Sequence, residues 1–384
     1  YLYMYAAPYP LSGSLSVRNN NAIGLGAYGY DLLETGENGV YDQPHTPVKV
    51  DGLDQHYPFG VLAWGHRGQM LTTSGYSFPP DWRWHASSQF NVAEGVYAGN
   101  FGKEKKLDDV EHQRIVQYVR GAGVWIVTDR LKSPQSHGYT LDWRFGVKPG
   151  HETDFTAEQI TFQPTQNTIK TVRPGGANVS LYEFPSSALT MTSGEERTPP
   201  EGYRLHDFVR ISNDWKAQGE SVVVTAIYPR KSQEEELKSI KPLKGIGVQG
   251  FDAITPAGTH VMYQAATVAP SALRVGDMSA NGESLLVTTG VGGVRRGIAL
   301  GCKSLLVAGK PVTIPAPDFE FEIVGAKIKT TNIYTSLQPV AISPSDTTAF
   351  VGQKVIKLAC ASPKSQIRYT LDGSEPTPNS LLYT

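Results

Sequence analysis

Apolar and polar positions alternate in short runs along most of the chain, and these runs are rich in β-branched and aromatic residues. Arg114–Val119, Val124–Asp129, Ser221–Tyr228, Ser284–Thr289 and Gly297–Leu300 are examples, set between Gly, Pro, Asn and Asp. Successive strand side chains point to opposite faces, so this alternation predicts half-buried strands joined by tight turns. Their spacing predicts stacked antiparallel sheets and an all-β fold. Only Ser232–Ile240 reads as helix: Ser232 suits an N-cap, and Glu234, Glu235 and Glu236 fall in the first turn. That acidic run is expected to be a solvated linker.

Punctuation divides the chain. Lys241-Pro-Leu-Lys-Gly-Ile-Gly247 follows the expected helix, and Leu337-Gln-Pro-Val-Ala-Ile-Ser-Pro344 is extended and Pro-marked. The expected pieces are a large antiparallel β-sandwich over 1–240, a second, smaller β-domain over 241–337, and a last piece over 338–384. Composition agrees with the pattern: 39 Gly and 26 Pro among 384 residues disfavour a mainly helical chain, and 40% apolar residues exclude disorder. A net charge of −1 offers no general attraction for nucleic acid or anionic membranes, so neither is expected as a partner. No apolar run reaches the roughly 18 residues of a membrane-spanning helix. The start, Tyr-Leu-Tyr-Met-Tyr, carries no signal peptide, which suggests a chain processed or cut from something larger. Cys302 and Cys360 lie too far apart for a CxxC zinc motif and are expected as buried free thiols.

The last piece contains Gln366-Ile-Arg-Tyr-Thr-Leu-Asp-Gly-Ser-Glu-Pro-Thr377, with a turn expected at Asp372-Gly373. This wording resembles the small Ig-like module at the C-terminus of chitobiases and other secreted carbohydrate enzymes. The resemblance implies a spacer or sugar-adjacent role and no catalytic residue. In that family further strands follow, so a truncated module is expected here.

Three phrases in the first piece carry candidate chemistry: Gly24-Leu-Gly-Ala-Tyr-Gly-Tyr-Asp-Leu-Leu-Glu-Thr-Gly36, His45-Thr-Pro-Val-Lys-Val-Asp-Gly-Leu-Asp-Gln55, and His112-Gln-Arg-Ile-Val116 running on through Val124 to Phe145. Glu34 and His45 sit at strand ends and are two of the three ligands an open zinc site needs; a surface pair is the alternative. His112 and Arg114 fall on one strand face, which fits a cross-strand pairing with Asp129 or Asp142. Trp82-Arg83-Trp84-His85 offers aromatic faces and a cation for a sugar, or else a packed loop. Asn178-Val-Ser180 matches a glycosylation sequon. His56, His66, His137, His151, His206 and His260 show no paired spacing and receive no role.

The order of these phrases resembles the β-sandwich region of heparinase II/III-like polysaccharide lyases, over roughly residues 5–335. The resemblance implies Glu34 and His45 as zinc ligands and Tyr41, with His45, near the cleaved bond. It also implies substrate contacts from Arg18, Arg67, Arg83, Trp84 and Arg114. The family carries histidines where Leu15 and Val17 stand, and neither of these ligates zinc. The implied reaction is β-elimination on a uronic-acid polysaccharide. A base takes the proton beside the carboxylate, cations and hydrogen-bond donors steady the enolate, and the 4-linked oxygen leaves. In the family a helical α/α-toroid precedes the sandwich and supplies further catalytic groups. The expectation is therefore the sandwich portion of a secreted or periplasmic lyase, inactive without its toroid. A non-catalytic carbohydrate-binding or scaffold protein with a degenerate site is the competing expectation. A glycoside hydrolase accessory region is the third, and no carboxylate pair points to it.

Overall fold

The computed structural model describes residues 2–5, 22–33, 48–55, 83–97, 101–102, 107–147, 155–197, 207–232, 235–333, 341–343, 356–359, 367–371 and 380–383. These residues form an all-β structure of antiparallel sheets. Strands β1 (Leu2–Tyr5), β2 (Ala22–Ala27) and β3 (Tyr30–Leu33) make a small sheet. The large sheet takes β4 (Lys49–Val50), β5 (Trp84–Ala86), β6 (Phe90–Tyr97), β7 (Glu111–Val119), β8 (Val124–Gly146), β9 (Ile160–Gln163), β10 (Thr168–Thr171), β11 (Asn178–Pro185), β12 (Thr190–Arg197) and β13 (Asp207–Arg230). Its order is β5-β6-β7-β8-β13-β11-β10-β9, with β12 beside β13 and β4 beside β8.

The spine of this sheet is the pairing of β8 with β13. It runs from Phe208 opposite Gly146 to Ile227 opposite Trp125, with one irregularity between Gln218 and Gly219. One face of β8 presents Val127, Leu131, Tyr139, Leu141, Trp143 and Phe145 to a core shared with Ile23, Leu25, Leu32 and Leu33 of the small sheet. Burying each such side chain stabilises the fold by about 1.5–3 kcal/mol.

A second region follows: β14 (Ser239–Pro242), β15 (Val248–Ile254), β16 (His260–Ala266), β17 (Ser271–Val275), β18 (Met278–Gly282), β19 (Ser284–Thr289), β20 (Arg295–Leu300), β21 (Ser304–Val307), β22 (Lys310–Val312), β23 (Phe319–Val324) and β24 (Lys327–Asn332). They form a seven-stranded and a four-stranded sheet around a core that includes Leu273, Leu285, Val287, Phe319 and Phe321. Cys302 lies in that core as a free thiol, which burial pushes up to about 11. Cys360 falls outside the described residues.

Both regions belong to one compact unit, and their sheets touch. Phe184 stacks on Phe251 with centroids 5.5 Å apart, the Thr128 and Tyr263 hydroxyls lie 2.8 Å apart, and Arg130 donates to the Ala266 and Thr267 carbonyls at 2.8 Å each. The last described strands, β25 (Ala341–Ser343), β26 (Lys357–Ala359), β27 (Arg368–Tyr369) and β28 (Leu381–Leu382), belong to a second unit and pair as β25-β26 and β27-β28. The expected turn at Asp372-Gly373 lies outside the described residues.

The helix expected over Ser232–Ile240 is replaced in its described part. Residues 235–238 run irregularly into β14, whose partner is β15. Nor is the acidic run simply solvated. The Glu236 carboxylate lies 3.0 Å from Lys170 Nζ and 3.6 Å from Arg230 Nη1, and accepts the Tyr182 hydroxyl at 2.6 Å. Burial alone would raise this carboxyl, but the Tyr182 hydrogen bond and the Arg230 and Lys170 charges hold it below its ordinary value. These contacts pin the connector to the face of β10, β11 and β13. Among the described residues, no helix is long and apolar enough to cross a membrane.

Glycine marks where strands crowd. A Cβ on Gly250 would meet the Tyr263 carbonyl oxygen at 1.9 Å, whereas one on Gly290 would meet nothing within 4 Å. Gly250→Ala is therefore expected to destabilise the protein by about 1–3 kcal/mol in urea denaturation, and Gly290→Ala to stay within about 0.5 kcal/mol of the parent.

Candidate functional site

The sequence places Glu34, Tyr41 and His45 on the segment between β3 and β4. These three, with Arg18 and Arg67, lie outside the described residues. The two ends of the segment are described. Leu33 and Val48 are both buried in the same core. Its return arm is well fixed. Lys49 pairs with Thr140 and Val50 with Tyr139, on the strand that carries the phrase ending at Phe145. The turn that follows has Asp51 at φ 49° and Gly52 at φ 75°, the left-handed pair that an Asp-Gly turn between strands adopts.

Charge converges beside this arm. Asp142 is buried and accepts the Ser212 hydroxyl at 2.6 Å and Arg144 Nη2 at 3.1 Å. Lys49 Nζ lies 3.8 Å and Arg210 Nε 3.9 Å from the same carboxylate. Further along the same strand, His137 stands between two acids. Its Nδ1 is 2.7 Å from Asp51 Oδ2 and its Nε2 is 3.2 Å from Asp109 Oδ2. Burial would lower this imidazole, but hydrogen bonds to Asp51 and Asp109 and their charges raise it above its ordinary value. Sequence spacing gave His137 no role because its partners are 86 and 28 residues away. The one available signal was Asp51-Gly52 in the phrase beginning at His45.

Arg114, expected to bind substrate, is inside the sheet. It sits opposite Asp129 in the β7–β8 register and contacts it through Nε at 2.6 Å and Nη2 at 3.1 Å. His112 Nε2 meets the same carboxylate at 2.7 Å, and all three side chains are fully buried. Burial would raise Asp129, yet the Arg114 charge and the His112 hydrogen bond hold it below the usual carboxylate range. Burial drives His112 the other way, below its ordinary value, so the ring is a neutral donor to an ionised acid. A sealed guanidinium with its own carboxylate has no reach to a substrate, and the cross-strand pairing is what forms.

Arg83 is corrected in the same way. It is 7% exposed and faces Glu283 at 2.6 Å, Asp318 at 3.3 Å and Glu94 at 3.5 Å. Its neighbour His85 meets Glu320 at 2.8 Å, which also accepts the Ser87 hydroxyl at 2.6 Å. Strand alternation turns Arg83 and His85 toward the second region and leaves Trp84 outward, 75% exposed. Among the described residues of this cluster, Trp84 is the one that points outward. The Asn178 sequon is closed too: the side chain is buried, its amide donating to the Arg173 and Gly176 carbonyls at 3.0 Å each.

Among the described residues, no group of three or more His, Cys, Asp and Glu side chains is placed to hold a metal ion; Glu34 and His45 are not among those residues.

The C-terminal strands carry the phrase that ends in Thr377. Residues 344–384 match the family model of the Chitobiase/beta-hexosaminidase C-terminal domain. No curated protein matches the chain. Among solved structures, the chain is similar to heparan sulfate lyase HepC from Pedobacter heparinus, at 12% identity and a TM-score of 0.46 over 65% of this chain and 36% of that one. It is also similar to a heparinase III gene product with methylated lysines, at 13% identity and a TM-score of 0.47 over 69% of this chain and 38% of that one. The chain is also similar to heparinase III, at 12% identity and a TM-score of 0.40 over 64% of this chain and 35% of that one. The chain thus spans little more than a third of the length of these structures.

Substitution separates the internal cation from the outward ring. Arg83→Ala leaves three carboxylates facing one another and is expected to lose about 3–5 kcal/mol of stability. Trp84→Ala is expected to stay within about 0.5 kcal/mol by thermal or urea unfolding.

Proposed function

We propose that residues 1–240 and 241–337 are the β-sandwich portion of a polysaccharide lyase. It would cleave a uronic-acid-containing polysaccharide by β-elimination together with an α/α-toroid portion. Residues 338–384 would serve as a C-terminal spacer or sugar-adjacent module. One observation carries the reading: the two most specific lyase-like phrases, His45–Gln55 and His112–Phe145, lie side by side in β4, β8 and β7. Two phrases far apart in sequence are thereby brought together in one sheet.

In this reading Tyr41 and His45 handle protons at the scissile unit. Such groups work best when their pKa values are drawn toward the working pH. Arg18, Arg67 and Trp84 would contact the chain of sugars, the arginines through bidentate carboxylate or sulfate bonds and the Trp through its ring face. Zinc, where held, would take Glu34 and His45; it would supply positive charge for the developing enolate. A secreted or periplasmic location belongs to the same reading.

Leu15 and Val17, standing where the lyases carry histidines, favour the second reading of a glycan-binding or scaffold protein without catalysis. The ultraviolet absorbance of the unsaturated uronate separates the two. Alginate, heparin, hyaluronan and ulvan are incubated with this chain alone and with the toroid-bearing protein. A rise with the toroid-bearing protein and none with this chain is expected. No rise on any of the four polymers, with retained binding to one of them, contradicts the lyase reading and favours the second.

A further inference from the structure

His137, on β8, touches two segments distant in sequence: the turn at Asp51 and the stretch 107–110 through Asp109. A neutral imidazole has one N–H and one bare nitrogen. Here both nitrogens face carboxylate oxygens, and neither carboxylate has a proton to give: both are held below the ordinary range. At Asp51 burial opposes this, while His137 and the Gly138 amide outweigh it; at Asp109 burial is outweighed by Ser133 and His137. Two acceptors facing two ring nitrogens require a ring that donates at both.

The acids are anchored independently of the ring. Asp51 Oδ1 accepts the Gly138 amide at 2.7 Å, and the Asp51 amide donates to the Gly138 carbonyl at 2.7 Å. Asp109 Oδ2 accepts the Ser133 hydroxyl at 2.7 Å. Val50 and Leu53 exchange backbone hydrogen bonds at 3.0 and 2.8 Å, closing the turn that the Asp51 side chain ties to β8. Further titratable groups near the ring among the described residues are Tyr139, whose ring centroid is 6.3 Å away and whose hydroxyl burial pushes up to about 12, and Lys216, whose charge acts on Asp51. His137 itself is 6% exposed, while the Asp51 and Asp109 side chains reach solvent.

We infer that His137 is a protonation-dependent positioning residue: as an imidazolium between Asp51 and Asp109 it fixes the 51–55 turn, and it releases that turn when it loses its proton. The release leaves a bare nitrogen facing one carboxylate and removes the positive charge between two negative ones. The sign follows from the raised pKa. The contribution is complete below the ordinary imidazole value of 6.5 and is lost as pH rises through the higher folded value. Its consequence for catalysis rests on the proposed function, since Asp51 lies six residues beyond His45 on the same arm; the clamp itself does not.

The test reads the clamp without any substrate. Ring nitrogen shifts of His137 are followed by NMR across pH in the full chain, with hydrogen-exchange protection of the Asp51 and Leu53 amides. Both ring nitrogens are expected to carry protons at neutral pH, and protection at the two amides to fall about tenfold as the ring titrates, equivalent to one pKa unit of coupling. His137→Gln is expected to abolish that step, and Asp109→Asn to lower the His137 titration while leaving the step in place. A neutral ring at neutral pH, or protection that stays flat while the ring titrates, overturns the inference. Should His137→Gln fail to fold, the parent titration decides alone. A clamp that titrates as expected in a protein without lyase activity overturns the proposed function and leaves the clamp standing.

Discussion

The large sheet depends on the burial of charge in register. Arg114 and Asp129 are opposite one another in the β7–β8 pairing, both without solvent exposure, and His112 shares the same carboxylate. A slip of one residue would send Asp129 to the opposite face from Arg114 and leave each charge alone in the interior, at a penalty of several kcal/mol per ion. Apolar alternation specifies which face is inward; the ion pair specifies which residue meets which. The same logic repeats at Asp142 with Ser212 and Arg144, and at Arg83 with Glu94, Glu283 and Asp318 between the two sheet regions.

This frame positions the candidate site. Strand β8 receives β7 on one edge along its first half and β4 near its middle, so the register fixed by Asp129 also fixes where the arm after His45 lands. Lys49 reaches Asp142 from that arm, and Asp51 reaches His137. Charge inside the sheet and charge at its margin therefore have different uses. The inner groups are spent on each other. Lys49 and Arg210 face Asp142 from the margin, and the ring of Trp84 points outward, 75% exposed.

Much of the fold was legible in the sequence because strand periodicity is local. The runs within Glu111–Val119 and Val124–Asp129 are strands, and the shared face of His112 and Arg114 already pointed to a carboxylate across the ladder. Local signals failed where the deciding partner is distant. Ser232–Ile240 has a helix start by composition, but Glu236 is taken by Lys170, Tyr182 and Arg230, and the residues after it by β15. Arg83 reads as a surface cation beside two tryptophans until Glu283 and Asp318, some two hundred residues on, close over it. His137 shows no spacing motif because Asp51 and Asp109 come from two other segments. Asn178-Val-Ser180 fits a sequon pattern, yet its amide is consumed by the turn at Arg173–Gly176. Glu34, Tyr41 and His45 stay as the sequence left them, outside the described residues.

A double-mutant cycle on Arg114 and Asp129 tests the buried ionic register most directly. Arg114→Leu and Asp129→Leu are each expected to destabilise the protein by about 3–5 kcal/mol, because each strands a buried charge. The double variant is expected to lose far less than the sum of the two, giving a coupling on the order of 3 kcal/mol in urea denaturation. Additive losses, with no coupling between the two sites, would contradict the account.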